Sequence, residues 1–439
     1  MSLPGCLYIN SCFFLSRLVS KSVNNLLWIG LRAVFALILF FSIIAVNAQT
    51  ITGSVYSYFG IGNLQGRSSA YNRALGYTGV AVRDNYNING INPASYNSIG
   101  KPFTTLFEIG GNYESTFHET GVSSSTSKTG GLNGINFLVK PSTKLGLMVG
   151  ATPLSNISYS ASSPIQFPSI STPTQIISEG SGGINQFYFG ASYPVFKNFS
   201  VGGNFSYYLG TIKKIVTVPP TIVTPQLIVA NRTTAHNSGF DLGAQYTINV
   251  KETGITLGAT WDRGTFLSGT QQTSVVNLNL DTIKKTDKLA TRYRLPPSYG
   301  AGLAVKTKRS TFAADIHFID WKKAVMNDAS NVTYQNTLKY SVGYEYRGDP
   351  YAMKYISLIS LRGGFFIQDY PVVTAMSFKT WGYTVGISLP LENYRASVNI
   401  NYSFTQLGTT QAGLVREQSG KLVLDFIVRD IWGIKRKFD

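Results

Sequence analysis

The chain is 439 residues long, carries a net charge of +17, and holds 43 glycines, 26 tyrosines and 26 phenylalanines against a charged content of only 13%. The basic residues are scattered, with no basic amphipathic helix and no RNA-binding signature, which argues against nucleic acid as a partner. What remains is a solvated basic surface, or attraction to anionic lipid head groups and acidic ligands.

In chain order, the first element is a leader. Arg32 precedes an apolar run from Ala33 to Ala45, and Val46-Asn47-Ala48 follows with the small residues that signal peptidase requires. This pattern predicts a removed leader over 1–48 and a mature start at Gln49. The competing reading is a membrane anchor over 26–45, about long enough to span but interrupted by Arg32. Both cysteines, Cys6 and Cys12, lie in the leader. The mature chain therefore has no disulfide, no thiolate nucleophile and no cysteine metal site.

Residues 49–102 are rich in Gly, Asn, Ser and Tyr and lack sustained alternation. The pairs Asn89-Gly90 and Asn92-Pro93 are strong turn formers. This stretch reads as a compact, mostly irregular plug.

From Phe103 onward the pattern becomes period 2. The clearest stretch sets Trp381, Tyr383, Val385, Ile387 and Leu389 on one face against Thr380, Gly382, Thr384, Gly386 and Ser388 on the other. The next sets Tyr394, Ala396, Val398, Ile400, Tyr402 and Phe404 against Arg395, Ser397, Asn399, Asn401, Ser403 and Thr405. Strand-like segments fall near 103–116, 131–140, 144–160, 183–194, 199–214, 237–250, 254–274, 293–306, 310–323, 335–347, 354–367, 376–389, 393–407 and 419–433. A soluble sandwich gives the same alternation, so the connections decide. They alternate between short ones, such as Pro141-Ser142-Thr143 and Lys251-Glu252-Thr253, and long ones over 117–130, 161–182, 215–236, 275–292 and 408–418. Short turns at one end and long loops at the other predict an outer-membrane barrel. The fold expected is all-β: a fourteen-stranded antiparallel transmembrane β-barrel over 103–439, with an N-terminal hatch, or plug, over 49–102 inside the lumen.

Several motifs resemble the FadL-type family of outer-membrane transporters for hydrophobic compounds. In the plug they are Arg73-Ala74-Leu75-Gly76-Tyr77-Thr78-Gly79 and Asn92-Pro93-Ala94. Downstream they are Leu295-Pro296-Pro297-Ser298-Tyr299-Gly300-Ala301-Gly302-Leu303 and Ala314-Asp315-Ile316-His317-Phe318-Ile319-Asp320-Trp321. The resemblance implies fourteen strands plugged by a hatch whose motif includes Gly76, Gly79, Asn92, Pro93 and Ala94. It also implies a kink in the third strand that opens the wall sideways, with Gly150 and Pro153 as its agents here; the bland account of Pro153 is that the membrane part of the strand ends there. PorV-like relatives of that family, which serve as outer-membrane subunits of a secretion machine, supply a second expectation. The ending, Trp432 to Asp439, departs from barrels that finish on an aromatic residue.

Alternation places Glu108, Asp241, Asp262, Asp315, His317, Glu345, Arg347, Arg362, Arg395, Asp425 and Arg429 in the lumen. The bland account is an internal ion-pair network joining wall and hatch, since buried charges need partners. The functional one is a polar conduit or a seat for an acidic head group, with Arg362, Arg395 or Arg429 as donors and Asp315 and His317 among the lumen polar groups. The mature histidines His118, His236 and His317 are widely separated and form no HExxH pattern, and there is no nucleophile elbow. The expectation is therefore a barrel that is not an enzyme and uses no cofactor or metal. It passes small hydrophobic molecules, fatty-acid-like or aromatic, across a Gram-negative-type outer membrane, with lipid and lipopolysaccharide around it. The alternative is a non-transporting barrel subunit with a secretion or envelope partner.

Overall fold

The computed structural model describes residues 53–166, 173–220, 225–277, 282–286, 288–326, 332–392 and 394–432. The leader, its cleavage point, both cysteines and the last seven residues lie outside them.

Fourteen antiparallel strands form the wall. They are β1 (Thr105–Glu119), β2 (Ser124–Val139), β3 (Gly146–Ile165), β4 (Thr174–Phe196), β5 (Phe199–Val218) and β6 (Leu227–Val250). Then come β7 (Thr253–Asp262, continued by Phe266–Val276) and β8 (Thr282–Lys285, Leu289–Arg294 and Ser298–Lys306). The last six are β9 (Ser310–Ile319), β10 (Thr337–Tyr346), β11 (Ser360–Asp369), β12 (Lys379–Leu391), β13 (Ala396–Leu407) and β14 (Arg416–Asp430). Each strand pairs with the next, and β14 closes on β1 from Arg416↔Glu119 to Asp430↔Thr105. Closure removes the sheet edges that an open sheet would leave unpaired. Among the described residues no helix is long and apolar enough to cross a membrane.

Alternation sorts the side chains as expected. Phe187, Phe189, Phe205, Tyr207 and Leu209 stand exposed on the outer face, while Gln186, Tyr188, Asn204, Ser206 and Tyr208, their neighbours along the same strands, are buried. On β13, Ser397, Asn399, Asn401 and Ser403 are all buried and Tyr402 is exposed.

Four expectations are corrected. The long loops are largely strand: β1 and β2 are separated by 120–123 alone, β6 begins at Leu227, and β4 at Thr174. The start of β2, Ser124-Ser125-Thr126-Ser127-Lys128-Thr129, lacks an apolar face, whereas β6 opens on the continuous apolar run Leu227-Ile228-Val229-Ala230. Neither carries a period-2 signal, but hairpin pairing holds them. The segments drawn at 254–274 and 293–306 are interrupted, the first at 263–265 beside Gly264 (φ 70°) and the second before Ser298. Residues 354–359 are not strand; Tyr355–Leu358 is a 3-10 turn in a longer connection. Finally, Arg395 does not face the lumen. It is exposed in the turn before β13, where Glu392 and Tyr394 take φ of 45° and 67° and pairing starts only at Ala396↔Leu391.

Candidate functional site

The described part of the N-terminal segment, from residue 53 to 104, has little regular structure. It holds 3-10 turns at Val55–Tyr58 and Pro93–Ser98, a two-residue strand Asn63–Leu64 and one short helix, Ala70–Ala74. Most of it is buried: Tyr71, Asn72, Leu75, Val80, Ala81, Asn92 and Tyr96 are at 1% exposure or less. So little regular structure leaves many backbone groups without local partners, and inward side chains of the wall supply them. Asp315 accepts from the backbone N–H groups of Gly79 (2.7 Å) and Val80 (2.9 Å). Asp425 accepts from Ala70 N–H. Thr384 donates to Ala74 C=O and accepts from Gly76 N–H, both at 3.0 Å.

Charged side chains bolt the same segment at two places. Arg67 donates to Asp241 at 2.7 Å, and Asp241 also accepts from Asn204. At the turn end, Arg347 bridges Asp84 of the segment and Glu345 of β10, and Arg362 of β11 donates to Glu345 at 3.0 Å. Burial pushes the Asp84 carboxyl up. Arg347, Lys306 and hydrogen bonds from Tyr86 N–H and the Asn87 amide outweigh burial and hold it well below the usual carboxylate range.

The predicted residues fall as follows. Asn92 reaches the carbonyls of Val80, Ala244 and Ala259, so one amide ties two parts of the segment to β6 and β7. Only glycine at position 243 leaves room for it, because a Cβ there would fall inside the Asn92 side chain. Pro93 opens the 3-10 turn and Ala94 C=O accepts from Arg83. Gly76 has φ 67° and lies against the backbones of Val342 and Phe365. Arg362 and Arg429 are occupied: Arg429 donates to Tyr86 C=O, Tyr394 C=O and Ser397 Oγ. His317 lies 4.0 Å from Asp315. The structure thus gathers most of the predicted lumen residues around the segment, with Arg395 left outside.

Sequence reasoning missed Arg67, Arg83 and Asp84, the segment's own contribution to this network. The signal was available: charges in a stretch destined for burial require partners across the lumen. It also missed Lys339. This inward lysine has no carboxylate within ion-pair distance among the described residues and sits 4.4 Å from the Tyr77 ring centroid, with Phe366 at 5.2 Å. Tyr77 itself holds φ 66°. Among the described residues no group of three or more His, Cys, Asp or Glu is placed to hold a metal ion.

The wall is interrupted between β2 and β3. They pair only from Ile135↔Ala151 to Val139↔Leu147, although β2 extends back to Ser124 and β3 forward to Ile165. Pro153 lies two residues beyond the last rung, and a bulge follows it between Pro153 and Ser155. Gly150, in contrast, is paired on both sides, with Asn136 and Tyr188. Beyond Pro153 the edge of β3 is taken by the segment: Asn63↔Asn156 and Leu64↔Ser155 pair, Gln65 N–H donates to Leu154 C=O, and Gly53 N–H donates to Ser158 C=O. A separate apolar groove of about 590 Å³ lies on the outer face of the wall, lined by Leu145, Ala191, Tyr193, Leu242, Ala244 and Trp261.

With this geometry in view, the comparisons place the chain. The model of the BamG family matches residues 31–439, nearly the whole length. The chain belongs to the BamG family. No curated protein sequence matches it. Among solved structures, BamG-family architecture here is similar to the toluene transporter TbuX of Ralstonia pickettii, at 17% identity over 84% of this chain and 99% of that one, with a TM-score of 0.58. The toluene transporter TodX of P. putida is similar at 16% identity over 84% of this chain and 100% of that one, TM-score 0.57. A FadL homologue of Pseudomonas aeruginosa is similar at 12% identity over 85% and 100%, TM-score 0.54. At such identities the likeness establishes the shared barrel fold.

Proposed function

We propose that this BamG-family barrel sits in the outer membrane and passes small hydrophobic molecules, with residues 49–102 acting as its hatch. The outward phenylalanines, tyrosines and leucines suit a lipid-facing belt. In this reading ligand leaves the medium at the loop end, reaches the lumen above the segment, and exits sideways between β2 and β3. Transport is passive, since no nucleotide or ion-coupling motif is required. The observation that carries it is the interrupted ladder beside Pro153, because a closed wall gives an apolar ligand no route into lipid. The fold shared with two toluene transporters supports a small aromatic hydrocarbon as the first ligand to try.

The test is uptake of radiolabelled toluene by cells carrying wild type or Pro153→Ala. Alanine can donate the ladder hydrogen bond that proline cannot, so it lengthens β2–β3 pairing and narrows the exit. Uptake should fall several-fold at equal amounts of folded barrel. Toluene entry that does not depend on the protein at all removes the transporter reading.

A second reading, a non-transporting, PorV-like subunit of an envelope assembly, is favoured by a different observation. At the turn end the connection 347–359 projects Tyr351, Met353 and Ile356 at 93%, 102% and 76% exposure. The projection is ordered from within: Asp349 N–H donates to Ser357 C=O, Asp349 pairs with Arg309 at 2.5 Å, and Tyr394 Oη–H donates to Leu358 C=O. A preorganised apolar projection suits docking. In that case the barrel co-purifies with a fixed set of envelope proteins, and Tyr351→Ser with Met353→Ser releases them.

A further inference from the structure

We propose that the free edge of β2, residues 124–134, is a docking site for an extended segment of a partner polypeptide, which adds to the wall as a strand.

The two sides of β2 differ. Towards β1 it is paired along its whole length, from Glu119↔Ser124 to Thr105↔Val139. Towards β3 it is paired only at 135–139. In a strand, backbone N–H and C=O groups point alternately to the two sides, so roughly every second residue of 124–134 aims its pair of groups into the opening. Among the described residues no wall strand or loop backbone meets them. The opposite edge shows what the opening accepts. There the chain's own segment runs extended along β3 and satisfies it with backbone hydrogen bonds, two of them 2.7 Å long. One edge of the opening is filled by extended polypeptide; on the facing edge Asn133 is buried and donates its amide to Ser68 C=O, and among the described residues 124–132 has no backbone partner on that side.

The chemistry of the bare edge selects its occupant. Leu132 is the last large apolar residue on it, and beyond lie Ser124, Ser125, Thr126, Lys128 and Thr129, polar and mostly exposed. An acyl chain or an aromatic hydrocarbon cannot donate or accept hydrogen bonds, so it leaves these backbone groups unsatisfied. An extended peptide pairs with each of them. Edges that must stay free are usually blunted with proline or several charges; this one has a single lysine and no proline. The inference stands apart from the transport reading, because it rests on backbone complementarity alone. It adds a consequence, however: a docked strand narrows the same opening through which ligand is proposed to leave.

The experiment is hydrogen exchange on the purified full-length barrel in detergent. The probe is a nine-residue peptide of alternating threonine and valine with one central lysine. A second peptide of the same sequence is N-methylated at every second residue, which removes one row of donors. The first should slow exchange of alternate amides within 124–134 by about tenfold and leave 135–139 unchanged. The methylated peptide should slow none. Three results overturn the proposal: amides of 124–134 facing the opening that are already as protected as 135–139 without peptide, no slowing at about 1 mM peptide, or equal slowing by the methylated peptide or by a short-chain phospholipid.

Discussion

The wall and the segment it encloses are held by different physics. Outside the opening between β2 and β3 the wall repeats one device: each strand satisfies its backbone on its neighbours, and side chains alternate between an apolar outer face and a polar inner one. Loss of one side chain touches little of this. The segment, from Gly53 to Thr104, has almost no ladder of its own. It is placed by individual bonds, Asp315 to Gly79 and Val80, Asp425 to Ala70, Asn92 to three carbonyls, and Arg347 to Asp84. A cooperative surface tolerates change; a set of single bonds concentrates its stability in a few residues. The difference makes the segment the part expected to loosen first, with the ladders of the wall intact.

The largest effect should come from removing one region and keeping the other. Deleting 53–98 leaves every wall pairing except Asn63↔Asn156 and Leu64↔Ser155 intact. The barrel should still fold, judged by its heat-modifiable mobility, while conductance in planar bilayers rises sharply above the low level of the intact protein. An intact protein that already conducts like a wide pore removes the idea that the segment closes the lumen.

Next in size is the network at the turn end. Glu345 is fully buried and receives both Arg347 (2.9 Å) and Arg362 (3.0 Å). Glu345→Gln leaves these guanidiniums short of a counter-charge, a loss of about 3–5 kcal/mol for a buried pair broken on one side. Protease or hydrogen exchange should show the segment 53–104 loosened at urea concentrations that leave the wall unchanged. Equal loss in both regions means the network stabilises the barrel as a whole.

How legible each region was in the sequence follows from the same contrast. Strands such as 379–389 could be read directly, since an apolar outer face and a polar inner one impose period 2. Their polar extensions could not. Ser124 to Thr129 faces a similar medium on both sides, and only its partner strand makes it extended. The segment was legible as something compact and irregular, but not in its anchors. Nothing local to Asp84 names Arg347, which lies far along the chain, and Arg395 was placed inside because alternation was carried past the turn at Glu392. Pro153 was legible because proline acts on the ladder whatever the context, whereas Gly150 belongs to regular pairing.

A smaller effect is expected from acid. The Asp84 carboxyl is held below its ordinary value in the folded state, so its contribution is complete above the ordinary value and is lost as pH falls through the lowered one. The segment should therefore stay anchored at pH 5, and loosen only well below the ordinary aspartate value of about 3.9. Exchange of the amides of Tyr86 and Asn87, which donate to Asp84 at 2.8 Å, reports this directly. Loosening already near pH 6 would mean that another group controls the anchor.

The smallest expected change tests the comparison at matched backbone geometry. Lys251, in the wall's tight turn between β6 and β7, has φ 54°, and Gly76, in the segment, has φ 67°. A left-handed conformation costs an L-residue roughly 1–2 kcal/mol, and glycine relieves that cost while adding freedom to the unfolded chain. For Lys251→Gly the two nearly cancel, and Lys251 and Glu252 are exposed, so stability should stay within about 0.5 kcal/mol of wild type. Gly76→Ala has the opposite balance. It acquires the strain, and its Cβ would press on the backbones of Val342 and Phe365 in the facing wall strands. Urea unfolding of the wall for the first variant and hydrogen exchange of 70–80 for the second measure the two outcomes. If Gly76→Ala is as silent as Lys251→Gly, the segment adjusts to the wall more freely than single-bond anchoring allows.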